Sequence, residues 1–233
     1  EIVSNELFRN KNSPLGKVLE KAWDTITQDY QQACDSETEC VANYDPREGI
    51  LDANTGADDL VAGTTASLVV LDESNGGISV LNCGDSRTLL VGKNGKLVFQ
   101  TKDHTPEEEM ERLKAGKEQG LDYSIPECSI SRWWLSVGDY QYAVGRSLEG
   151  PFATSKGIVS LPDMTTLQAE PGQALICASD GLWDVVDSQE AAKIVASVRS
   201  RGTNAGDAAK TLCSIAIEKG SSDNVSAVVV YLQ

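Results

Sequence analysis

The amino-acid sequence predicts an α+β fold: packed antiparallel sheets with helices outside them. Three observations carry that expectation. Strand-like runs come in groups and helical runs are segregated from them, whereas an alternating α/β chain would interleave the two. The turn signals Asn75-Gly76-Gly77 and Lys93-Asn94-Gly95-Lys96 join neighbouring runs as hairpins, because Asn-Gly tolerates positive φ. Helical periodicity is strongest in one segment near the start and two near the end.

Each element follows in order. Leu15, Val18, Leu19, Ala22, Ile26 and Tyr30 recur at helical spacing, so a helix is expected over about 14–34. Ser13 suits its N-cap and Pro14 its first position. Residues 35–63 are acidic, contain glycine and show no period, which reads as a long loop. Apolar runs at 67–71, 78–83, 88–91 and 97–100 form an expected antiparallel meander. Thr105-Pro106-Glu107-Glu108 is a capping box, opening a helix that should stop near Gly116. Residues 117–172 read as irregular, with strand character at Trp133, Trp134, Tyr140 and Tyr142. A buried strand is expected at 174–178, helices at about 188–201 and 207–219, and a final strand at 225–232.

The 233 residues are expected to form a single domain, since the length is ample for a sizeable core. No apolar run approaches the length of a membrane span. The formal charge of -15 argues against a nucleic-acid surface, which wants a basic field, and suits cation binding or plain solvation. The one histidine, His104, excludes a multi-histidine zinc site. Six cysteines without a C-x-x-C spacing exclude zinc-ribbon and redox motifs and favour an intracellular setting, cytoplasmic or nuclear. Cys83 and Cys177 lie in apolar runs and read as buried small hydrophobes. No targeting pattern follows Glu1.

Three segments place aspartates beside apolar strand-like runs: Asp85 in Asn82–Arg87, Asp180 and Asp184 in Ala178–Asp184, and Asp223 in Gly220–Val225. Strand ends are rigid, so carboxylates there can be held convergent. Clustered carboxylates repel and are stable together mainly around a cation; their hard oxygens select magnesium or manganese. Read singly, each is more simply a turn aspartate capping nearby N–H groups.

The ordered set is specific. Gly63-Thr64-Thr65-Ala66, Asn82-Cys83-Gly84-Asp85-Ser86-Arg87, Asp103-His104-Thr105-Pro106, Ala178-Ser179-Asp180-Gly181-Leu182-Trp183-Asp184-Val185 and Gly220-Ser221-Ser222-Asp223-Asn224-Val225-Ser226 together resemble the metal-dependent protein phosphatase (protein phosphatase 2C-like) family. The resemblance implies a β-sandwich of two antiparallel sheets flanked by helices. It also implies hydrolysis of phosphoserine and phosphothreonine in protein substrates by a metal-activated water. It carries Asp180 and Asp223 over as catalytic ligands of two Mn²⁺ or Mg²⁺ ions. Asp85 and Asp184, with Asp180 shared, carry over as ligands of a third ion. Arg87 is expected to support the Asp85 turn by a salt bridge, His104 to cap or pack, and Trp183 to anchor the core. No substrate-binding residue is assigned.

Two departures stand against the pattern. The family's aspartate-glycine-histidine-glycine-glycine motif has no counterpart here, nor do the first strands of its sandwich. Either an N-terminal segment of the same protein supplies them, or the chain is a catalytically inactive, phosphatase-like binding or regulatory module. The intact set of four aspartates points to the first. The second departure is Ala143–Gly150, which resembles the family's alanine-valine-serine-arginine-alanine-leucine-glycine-aspartate segment but carries Ser147 and Glu149-Gly150 instead. An acidic calcium-binding protein is the remaining reading, and no D-x-D-x-D-G loop supports it.

Overall fold

A computed structural model describes residues 14–36, 42–45, 50–53, 63–129, 132–138 and 140–233. In chain order its elements are α1 (Leu15–Ser36), β1 (Ala42–Asp45), β2 (Ile50–Ala53), β3 (Gly63–Thr64), β4 (Ala66–Asp72), β5 (Gly77–Cys83), β6 (Arg87–Val91) and β7 (Leu97–Gln100). There follow α2 (Met110–Glu118), β8 (Glu127–Ser129), β9 (Arg132–Val137), β10 (Tyr140–Tyr142), β11 (Leu148–Glu149), α3 (Pro151–Ser155) and β12 (Asp163–Gln168). The chain closes with β13 (Ala174–Ala178), α4 (Asp180–Trp183), α5 (Ser188–Ser200), α6 (Ala205–Glu218) and β14 (Ala227–Tyr231). Two compact units result: residues 66–103 with 163–233, and residues 1–65 with 104–162.

The first unit is a layered sandwich. One sheet has the order β12-β5-β4, the other β14-β13-β6-β7, all pairs antiparallel. Strand alternation decides which side chain goes where. Leu90 of β6 and Leu175 of β13 point between the sheets, where they cluster with Ile78, Val80 and Leu232. Their neighbours Leu89, Val91 and Ile176 point the other way and pack against Ala191, Ala192 and Val195 of α5 and Ala208 and Leu212 of α6. The helices thus cover the outer face of the four-stranded sheet. Each has a side-chain cap: Asp187 accepts from Glu190 N–H at 2.9 Å, and Asn204 from Asp207 N–H at 2.9 Å.

Three local readings are corrected. The expected meander divides after β5: β4 and β5 belong to one sheet, β6 and β7 to the other. The chain changes sheets at Gly84-Asp85-Ser86, where Gly84 takes φ +116, a conformation glycine adopts without strain. Asp85 therefore lies in the crossover. The segment read as a long loop contains the antiparallel pair β1–β2, too short for alternation to be legible. The irregular stretch before residue 172 contains β12, whose Asp-Met-Thr-Thr-Leu-Gln sequence lacks an apolar alternation, yet it completes the three-stranded sheet along β5.

In the other unit α1 runs as expected, and Trp23 donates to the Ser160 carbonyl at 2.9 Å. Ser13 lies outside the described residues. Thr105 Oγ1 accepts from Glu108 N–H at 3.3 Å, as a capping box requires, but regular helix begins only at Met110. That helix passes Gly116 and ends at Glu118, with Gln119 as its C-cap and Gly120, φ +88, just beyond. Gly116 is buried against Tyr123, so its role is close packing. Among the described residues no helix is long and apolar enough to cross a membrane.

Candidate metal centre

The four-stranded sheet brings the predicted aspartates to one end. In β13, Ala178 is opposite Arg87, the first residue of β6, and opposite Ala227, the first residue of β14. Asp180 follows that end of β13 by two residues, Asp85 precedes β6 by two, and Asp223 precedes β14 by four. Asp180 opens the single turn α4 and Asp184 is its C-cap. Sheet register therefore delivers three loops, carrying all four carboxylates, to the same edge of the sandwich.

Two of these loops are zipped together. The Ser179 hydroxyl donates to the Asn224 carbonyl at 3.2 Å, and Ser226 N–H donates back to that hydroxyl at 3.2 Å. Ser221 Oγ donates to the Gly181 carbonyl at 2.7 Å. Gly181 is required: a Cβ there would overlap the carbonyl oxygen of Asn224. Asp180 Oδ1 accepts from Gly181 N–H at 3.0 Å, and Asp223 Oδ1 from Asn224 N–H at 2.6 Å. Each carboxylate is thus oriented by the amide next to it, as a turn aspartate is.

The third loop is tied by Arg87. Its guanidinium forks onto Asp103, Nε to Oδ1 at 2.9 Å and Nη2 to Oδ2 at 2.6 Å. Nη1 donates to Ser188 Oγ at 2.8 Å, and the group lies 5.1 Å from the centre of the Trp183 ring. The sequence reading linked Arg87 to Asp85; the bidentate salt bridge recorded is to Asp103. Hairpin geometry held the signal. β6 and β7 pair as Leu89 opposite Gln100, and Thr101 N–H donates to the Thr88 carbonyl at 3.0 Å, which carries Asp103 to the start of β6.

Trp183 is buried and donates to the Ala178 carbonyl at 2.8 Å, anchoring α4 on β13. His104 is buried and its carbonyl accepts from Gly145 N–H at 2.7 Å. Cys83 is buried; Cys177 Sγ accepts from Thr88 Oγ1 at 3.2 Å, and burial pushes its thiol up, so it is no ready thiolate. Cys128, Cys177 and Cys213 are free thiols. Trp133 and Trp134 are partly buried on β9, with Arg132 5.3 Å over the Trp134 ring. Open clefts of about 460 and 500 Å³ lie on the sandwich, and neither is lined by any of the four aspartates.

The donor set is of the right kind for a hard divalent cation: aspartate oxygens on rigid strand ends. Convergence is incomplete, because among the described residues no group of three or more His, Cys, Asp or Glu side chains could hold a metal ion. Sequence reasoning missed Asp103 and Ser188 as partners of Arg87, and Ser179 and Ser221 as loop ties.

Comparisons with known proteins agree on one family. The family described as Protein phosphatase 2C matches residues 9–225. The chain is 34% identical over 202 residues to a rice protein named Probable protein phosphatase 2C 8, covering 79% of this chain and 45% of that protein. In fold it resembles a serine-threonine phosphatase 2C from Toxoplasma gondii, with a TM-score of 0.68 at 20% identity, covering 99% of this chain and 71% of that one. It also resembles the catalytic domain of the serine/threonine phosphatase PstP, solved with two manganese ions, with a TM-score of 0.55 at 20% identity, covering 98% and 77%. The chain spans about half the length of the curated relatives it matches.

Proposed function

The chain belongs to the protein phosphatase 2C family, and from that premise we propose that it is the larger part of a single catalytic domain that hydrolyses phosphoserine and phosphothreonine in proteins. Asp180 and Asp223 would hold two core Mn²⁺ or Mg²⁺ ions, and Asp85 and Asp184, with Asp180, a third. When bound, such ions lower the pKa of a water and neutralise phosphoryl oxygens. The protein's own part is to hold oxygens on unyielding backbone: Asp180 between β13 and α4, Asp223 in a loop tied to Gly181 through Ser221, Asp85 in the crossover between sheets. The observation that carries the reading is the register of β6, β13 and β14, which brings all four aspartates to one sheet end.

The experiment is hydrolysis of a phosphothreonine peptide by the full-length protein, with and without Mn²⁺. Turnover that needs the metal and is abolished by Asp180→Asn is expected. Turnover indifferent to that substitution sinks the assignment. A second reading, a phosphatase-like binding module without turnover, is favoured by the incomplete gathering of carboxylates among the described residues. Tight partner binding with no measurable Mn²⁺ affinity would select it.

A further inference from the structure

We infer that Arg87 is the positioning residue of this end of the sandwich: its guanidinium sets the loops that carry Asp85, Asp180 and Asp184, and thereby the affinity for the metal. The inference rests on the metal-dependent reading above.

Arg87 is attached to several elements at once. It starts β6, so its backbone is two residues from Asp85. Its side chain then reaches three other places. The fork on Asp103 holds the end of the β6–β7 hairpin. Nη1 on Ser188 holds the first residue of α5. The planar face lies over Trp183, the last residue of the turn that Asp180 opens and Asp184 caps. Trp183 is itself fixed to the strand through its bond to the Ala178 carbonyl. One cation therefore ties the Asp85 crossover to the Asp180–Asp184 turn.

Chemistry explains why arginine is needed. A lysine ammonium carries the same charge but cannot fork onto a carboxylate and also donate sideways to a hydroxyl in one plane. Three guanidinium nitrogens are committed to protein partners at 2.6 to 2.9 Å, which argues against Arg87 as a phosphate ligand. The pair is only partly exposed, 18% for Arg87 and 21% for Asp103, so solvent screens it incompletely. Groups that orient metal ligands without touching the metal typically change affinity by about 10–100-fold when removed.

The test is Mn²⁺ binding by titration calorimetry, beside peptide turnover, on the full-length wild type and on Arg87→Lys, Arg87→Ala and Asp103→Asn. Circular dichroism confirms which variants fold. Arg87→Lys keeps the charge and guards against a variant that merely unfolds. The expected result is a folded Arg87→Lys whose Mn²⁺ affinity falls about tenfold or more. Its kcat should be recovered at high Mn²⁺ and its KM for peptide left unchanged. Asp103→Asn should show the same pattern, more weakly. Wild-type Mn²⁺ affinity in folded Arg87→Lys and Asp103→Asn would overturn the inference while leaving the phosphatase reading intact. A raised peptide KM at unchanged Mn²⁺ affinity would overturn it in favour of a phosphate contact. A wild type that binds no Mn²⁺ and has no turnover would defeat the metal-dependent reading and this inference with it.

Discussion

Glu109 and Glu149 lie in the same compact unit and are about equally buried, at 4% and 3% exposure, yet their acidities move in opposite directions. Burial raises both. For Glu109 it is outweighed by two arginines: Arg146 bonds Oε1 at 2.9 Å, Arg112 bonds Oε2, and the carboxyl is held below its ordinary range. Among the described residues Glu149 has only the Ser147 hydroxyl on Oε1 at 2.8 Å, while its Oε2 is buried with no hydrogen-bond partner there. Burial therefore pushes Glu149 up to about 7. It also stands close to Tyr142, whose hydroxyl is raised by burial and then by the Glu149 charge. Depth alone does not decide whether a carboxyl ionises; a guanidinium within reach does.

Removing the guanidinium should have the largest effect. Arg112 bonds Glu109 and also donates to the Gly145 and Gly157 carbonyls, each at 2.9 Å. Arg112→Ala leaves a buried carboxylate with half its compensation and two carbonyls without their donor. Breaking a buried pair costs about 3–5 kcal/mol; with Arg146 still in place, a loss near about 3 kcal/mol is expected. Urea unfolding at neutral pH measures it as a lower midpoint at unchanged slope. A loss below about 1 kcal/mol, the range of exposed ion pairs, would break the contrast by showing that Arg146 alone suffices.

Glu149→Gln should come next, with the opposite sign and a strong pH dependence. The ordinary carboxyl value is 4.5 and the folded one about 7. Between these values the folded chain keeps a proton that the unfolded chain releases. The wild type therefore loses stability as pH rises through that window, and the penalty is complete above it. At 1.36 kcal/mol per unit, Gln should be more stable than Glu by on the order of 3 kcal/mol at pH 8 and by nothing at pH 4. Parallel unfolding curves at the two pH values test it. A Gln variant no more stable at pH 8 would mean that the Glu149 carboxylate is compensated in solution.

What was legible in the sequence, and what was not, follows the same division between local and distant causes. The strands β4 to β7 were legible because Asn75-Gly76 and Asn94-Gly95 fix tight turns between apolar runs. The four aspartates were legible because each lies in a short polar segment beside an apolar strand-like run. Which sheet each hairpin joins was not, because Gly84-Asp85-Ser86 reads equally as a turn within one sheet or a crossover between two. β12 was missed because its place is set by backbone pairing with β5, not by its own side chains. Arg87 was legible as a supporting residue, but its partner required counting across the β6–β7 hairpin. Glu149 was visible as a departure from a family pattern; that it would be sealed from water was not, since neither Ser147 nor Tyr142 marks it as buried.

The smallest effect sharpens the contrast most. Ser147→Ala removes the one hydrogen bond that the described residues make to the Glu149 carboxyl and leaves the burial unchanged. That bond favours the charged form, so its loss should raise the Glu149 carboxyl further above about 7. At pH 5, where Glu149 is neutral, the cost should be about 1 kcal/mol, typical of a neutral hydrogen bond. At pH 8 it should grow towards about 1.5–3 kcal/mol, the range for a bond to a charged group. In the Glu149→Gln background the cost should no longer change with pH, because nothing there titrates. The pairing of these two variants isolates the charge from the contact, as a double-mutant cycle does. A Ser147→Ala cost that is flat with pH in the wild-type background would mean that Glu149 does not change its ionisation between pH 5 and pH 8. Its lack of a cation would then be a matter of packing, with no part in the pH response of the fold.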